Sequence, residues 1–125
     1  MNYTNRLKYG ESLATMMKWS HTTYLRGQYK FSSNYIDKMM ERIIKSREIV
    51  GVFASIEKDK RDEHNHVHLL LASKKMLNRY TLSRLAGFNQ IGIGNVDKVH
   101  NKLGVARYVC KHIGKDFSYH NLLIK

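Results

Sequence analysis

Between Ile49 and Ala72 the chain reads apolar, then charged, then apolar again: "IVGVFASI", "EKDKRDE" and the run ending "HVHLLLA". Two β-rich runs joined by a polar segment too short to hold another element predict a hairpin. In the second run His64, His66 and His68 fall at every second position. On a strand alternate side chains share a face, so the three imidazoles point one way while Asn65, Val67, Leu69 and Leu71 point the other. Whatever this chain folds into must be arranged around that hairpin.

The flanking segments supply the rest of a sheet. Lys18 to Tyr24, "KWSHTTY", is rich in aromatic and β-branched residues and predicts a first strand, followed by a basic loop around Gly27. Ser33 or Asn34 can cap a helix in which Ile36, Met39, Met40, Ile43 and Ile44 recur at helical spacing between charged residues. Leu77 to Leu85 reads as a second helix, Ile91 to Val99 as a fourth strand and Gly104 to Lys115 as a closing helix. Residues before Met17 stay open, with a short helix from Leu7 to Met16 as one option. The order β, α, β, β, α, β and a further helix predicts an α+β fold: a ferredoxin-like, split βαβ antiparallel sheet of four to five strands with helices packed on it, plus a C-terminal helix. Its first and third strands lie at the centre, so the histidines would sit on an inner strand, a rigid mount for a site.

At 125 residues the chain suits one domain. Pro is absent, and no repeat or low-complexity tract marks an internal boundary. The net charge of +12 points to a polyanionic partner, nucleic acid first, with an RNA binder or an anionic membrane surface also compatible. No apolar run approaches the roughly 18 residues of a membrane span, and Met1 to Gly10 does not read as a signal peptide. Cys110 is the one cysteine, so no internal disulfide forms and a reducing cytoplasm is the expected compartment. Its expected role is that of a small buried residue.

Imidazoles at i and i+2 on a strand can share a cation, and Glu57, at the end of the preceding strand, would be brought beside them by the hairpin. Two histidines and a carboxylate suit Mn²⁺ or Mg²⁺ with positions left open for substrate oxygens, as Lewis-acid chemistry at a phosphate requires. A solvated strand face and an ordinary strand-end carboxylate are the plainer alternatives. In the closing helix Val105, Ala106, Val109, Cys110 and Ile113 form one stripe; Tyr108, Lys111, His112 and Lys115 form another. A phenol with a pKa of about 10 needs nearby positive charge to react at pH 7.

Together these segments resemble the HUH endonucleases, named for a His-hydrophobic-His pair on a strand, and among them the single-tyrosine initiators of rolling-circle replication in small viruses and plasmids. The pair here is His66-Val67-His68; a Thr-bearing strand, "WSHTTYL", precedes it and a Tyr-x-x-Lys helix, Tyr108 to Lys111, follows. The resemblance implies a metal-dependent enzyme that nicks and joins single-stranded DNA at a replication origin. Tyr108 would be the nucleophile, forming a 5′-phosphotyrosyl link and freeing a 3′-OH, with Lys111 beside it. His66, His68 and Glu57 would hold the metal, His64 being the alternative third ligand. Lys115, His112, Trp19 and Arg26 would contact DNA. Host helicase and polymerase would complete replication, in the host cytoplasm if the replicon is viral. His112 stands where some relatives carry a second tyrosine. Two other readings remain: a single-strand transposase of the same superfamily, and a non-enzymatic basic module binding nucleic acid through Trp19, Tyr24, Tyr29 and Phe53.

Overall fold

A computed structural model describes residues 3–26, 31–58, 65–87, 92–110 and 119–125. In chain order its elements are α1 (Tyr3–Met16), β1 (His21–Arg26), α2 (Ser33–Ile44), β2 (Ile49–Lys58), β3 (Asn65–Ser73), α3 (Arg79–Ala86), β4 (Gly92–Ile93), β5 (Asp97–Lys98), α4 (Lys102–Cys110) and β6 (His120–Ile124). The strands form one antiparallel sheet in the order β4-β1-β3-β2-β6, with β5 also paired to β1. β1 and β2 run the same way with β3 between them, which is the split βαβ arrangement expected, and β3 is an inner strand.

Several elements start from residues other than those expected. The cap of α2 is Ser32, one residue before the predicted pair: its Oγ accepts the Tyr35 N–H at 3.1 Å. β1 begins at His21, and α3 begins after Asn78, whose Oδ1 accepts the Thr81 N–H. The predicted fourth strand is broken into β4 and β5. Leu25 pairs with Ile93 and His21 with Lys98, five steps against four, so the strand bulges by one residue. Thr23 Oγ1 donates to the carbonyls of Gly94 and Asn95 inside that bulge, satisfying acceptors the broken ladder releases.

Both faces of the sheet are covered, where a two-layer fold would leave one open. One face carries Val67, Leu69 and Leu71 of β3 with Val52, Ala54 and Ile56 of β2, all buried against Ile36, Met39, Met40 and Ile43 of α2 and Leu82 of α3. The other carries Leu70, Ala72 and Phe53, buried against Leu13 and Ala14 of α1 and Ala106, Val109 and Cys110 of α4. α1 is thus a full helix, and α1 and α4 together make a third layer. They cross closely at Gly10, where a Cβ would stand 3.3 Å from the Cα of Arg107, and Arg107 is bridged to Glu11 at 2.8 Å.

β6 has no counterpart in the sequence reading. It pairs along β2 from Gly51–Ile124 to Ser55–His120, and a buttress ties it to α2: Tyr119 Oη and Asn121 Nδ2 both donate to Asp37 Oδ1. The Asp37 hydrogen bond, reinforced by burial, pushes the Tyr119 phenol up to about 12. No helix among the described residues is long and apolar enough to cross a membrane.

Candidate functional site

Alternation along β3 puts His66 and His68 on the face that continues into Leu70 and Ala72, so the two imidazoles lie where the third layer of helices ends. The hairpin sets what stands beside them. Glu57 is directly opposite His66 and Ser55 directly opposite His68, and directly opposed residues of an antiparallel pair bring their Cβ atoms to about 4.5–5.5 Å. Beyond them Tyr24 of β1 faces His68 and His120 of β6 faces Ser55. One row of the sheet therefore reads Tyr24, His68, Ser55, His120, with His66 and Glu57 in the adjacent row on the same face.

Glu57 Oε2 and His68 Nε2 are 3.1 Å apart, both side chains largely shielded. Neighbouring donors on an octahedral cation with bonds of about 2.1 Å stand about 3 Å apart, so this pair already has the separation that two adjacent ligands need. The donor types and their common face fit a hard to borderline divalent ion. Among the described residues no three His, Cys, Asp or Glu side chains converge into a complete set; His66, opposite Glu57, has the register to supply the third.

Ser55 was passed over in the sequence, although it shares parity with Glu57 inside an apolar run, and that parity is the signal that could have found it. It is 3% exposed, and its Oγ is buried with no hydrogen-bond partner among the described residues. A buried unpaired hydroxyl costs about 1–3 kcal/mol, which Ala or Val would avoid. His120 could not be foreseen at all, since nothing marked its strand. Its Nδ1 is 3.5 Å from Tyr9 Oη, with the rings edge to face. Burial lowers the His120 pKa, and burial followed by the nearby Cys110 raises that of Tyr9, so the pair is neutral near pH 7.

Trp19, expected to contact DNA, is instead buried: it is 2% exposed, packs in the core under α1, and its Nε1–H donates to the Leu13 carbonyl. Phe53 is likewise fully buried and offers no stacking face. Tyr24 is the platform candidate that remains exposed among the described residues; Tyr29 lies outside them. Cys110 is buried, and burial lifts its thiol to about 12, so it is the inert core residue expected. Tyr108 belongs to α4, between Arg107 and the buried Val109. His64, Lys111, His112 and Lys115 lie outside the described residues, as do the side chains of Tyr108 and Arg26. Ala106, Val109 and Cys110 hold α4 on the same sheet face as the histidines.

The chain matches no protein-family model, and no curated protein or solved structure proves similar to it. The chemistry of the site must therefore be argued from its residues.

His21, 3% exposed, is a buried histidine with a different task. It accepts the Leu77 N–H through Nε2, which leaves Nδ1–H to donate to Ser20 Oγ at 2.8 Å. Ser20 in turn donates to the Leu71 carbonyl and accepts the Ser73 N–H. Burial, then Lys98, lower the His21 pKa, so this imidazole is a neutral clasp between β1, β3 and the entry to α3.

Proposed function

We propose that the protein is a metal-dependent endonuclease that nicks and rejoins single-stranded DNA through Tyr108, as an initiator of rolling-circle replication does. The observation that carries this reading is the Glu57–His68 contact on an inner strand, with His66 opposite Glu57 and α4 packed on the same face. A structural role for that trio is the weaker explanation, because a rigid inner strand has no need of paired imidazoles at its open end. The net charge of +12 supports a polyanionic substrate.

In this reading His66, His68 and Glu57 hold Mn²⁺ or Mg²⁺, which when bound withdraws charge from the scissile phosphate. Tyr108 Oη attacks phosphorus and gives up its proton; a P–O bond to tyrosine forms, the P–O3′ bond breaks, and O3′ leaves as a hydroxyl. The phosphotyrosyl ester keeps the bond energy, so attack by a 3′-OH reverses the step without a nucleoside triphosphate. Lys111 neutralises charge beside the phenol, and the free 3′-OH is a primer for a host polymerase. That α4 lies on the histidine face of its own chain supports an initiator over a transposase that exchanges its tyrosine helix between subunits.

Cleavage of a pool of end-labelled single-stranded oligonucleotides, compared in Mn²⁺ and in EDTA, tests the reading. Nicking in Mn²⁺ and none in EDTA is expected. Binding without cleavage in either would replace it with a basic binding module, the reading that the exposed ring of Tyr24 favours.

A further inference from the structure

Past His68 the same sheet face continues onto β1 and the bulged strand, and there a cleft of about 470 Å³ opens between Tyr24, Asp97 and the start of α4 at Asn101 and Val105. Its volume falls in the range of small-ligand sites, roughly 300–1,000 Å³, and His68 forms part of its wall.

Three features give it a chemistry. Gly94 stands at the bulge, and a Cβ there would lie 2.6 Å from Cζ, 2.7 Å from Cε1 and 3.0 Å from Cε2 of Tyr24. Near-equal approach to three ring carbons means that one face of the ring lies over the Gly94 backbone. Tyr24 is still 43% exposed and lines the cleft, so the side of its ring away from Gly94 is the one a base can stack on. Asp97, paired with Thr22 on this same face, brings a carboxylate, an acceptor with two oxygens. Asn101, also in the lining, spends its Oδ1 on the Gly104 N–H at the head of α4, so what its amide has to offer a ligand is its Nδ2 donor. A bare aromatic face bordered by a carboxylate and an amide is how proteins hold a single unstacked base.

We propose that this cleft takes one nucleotide base of the single strand beside the histidine site, stacked on Tyr24 and read by Asp97, and that the base is guanine. Guanine alone among the four presents two adjacent N–H donors on its Watson–Crick edge, matching both carboxylate oxygens. Lys98, next to Asp97 and also bordering the cleft, adds positive charge at its rim for the phosphate that follows. The inference rests on single-stranded DNA as the substrate, and neither on the metal nor on Tyr108.

Fluorescence anisotropy in EDTA tests it, with dye-labelled octamers of dT carrying one central dG, dA or dC beside the all-dT probe. The dG probe is expected to bind at least fivefold more tightly than the other three. Asp97→Asn should erase that preference, so that the dG probe binds no more tightly than the all-dT probe. Stacking is worth about 1–3 kcal/mol per base, so Tyr24→Ala should weaken every probe by about tenfold, and Tyr24→Phe should not. No dG preference in the wild type, no binding at all, or a Tyr24→Ala protein that binds like wild type would overturn the proposal. Nothing is cut in EDTA, so failure here leaves the nicking reading standing, and a protein that shows the preference but never nicks leaves the cleft standing.

Discussion

Glu57 Oε2 meets His68 Nε2 at 3.1 Å across the β2–β3 pair, one register step from the directly opposed Glu57 and His66. The carboxylate thus touches one imidazole while facing the other, the placement a three-ligand site on a hairpin requires. Glu57→Gln keeps the hydrogen bond and the size but removes the charge, so its fold should survive. Mn²⁺ affinity, measured by calorimetry, and the nicking rate should each fall at least roughly 100-fold, since even outer-shell changes at metal sites cost about 10–100-fold.

Ser55 makes the opposite bargain between stability and activity. Removing its unpaired hydroxyl relieves a desolvation cost, so Ser55→Ala should raise the unfolding free energy by up to about 1 kcal/mol in urea titration. If Ser55 serves the site through the row it shares with His68, the same variant should nick more slowly. A Ser55→Ala protein that is less stable and fully active would place Ser55 in the packing alone.

Stability should depend on pH through His21 and His120. Both have pKa values lowered on folding from the usual 6.5, so below that value the unfolded chain binds more protons than the folded one. Their contribution is complete above about pH 6.5 and is lost as pH falls toward their folded values. The melting temperature should therefore drop between pH 7.5 and pH 5, and His120→Asn should flatten part of that slope.

Much of this fold was legible in the sequence because its signals are periodic. The alternation from His64 through Leu71 and the helical spacing of Ile36, Met39, Met40 and Ile43 each specify an element and the face it buries. What escaped was decided by distant partners. α1 shows no clean apolar stripe in "YTNRLKYGESLATM", and it is a helix because Leu13 and Ala14 bury against Phe53, Leu70 and α4. Trp19 was expected at a DNA-binding surface, and its burial depends on that same helix, which the sequence offered only as an option from Leu7 to Met16. β6 is short and owes its place to the free edge of β2 and to Asp37. For the site, parity along β2 and β3 gave Glu57, His66 and His68, while the row through Ser55 to His120 needed the strand that the sequence did not announce.

The close crossing at Gly10 makes α1 a brace for the tyrosine helix. A side chain there would press on the backbone of Arg107 at 3.3 Å, so Gly10→Val should shift α4 and slow nicking. Mn²⁺ affinity, proposed to rest on residues of β2 and β3, should stay unchanged. Equal losses in both measurements would show that the whole sheet had been disturbed.

The most direct measurement of the central claim is peptide mapping by mass spectrometry after incubation with single-stranded DNA and Mn²⁺, followed by nuclease trimming. The account predicts a nucleotide adduct on the peptide that contains Tyr108, present with Mn²⁺, absent with EDTA and absent in Tyr108→Phe. No adduct on any strand tried, or an adduct that persists in Tyr108→Phe, would contradict it.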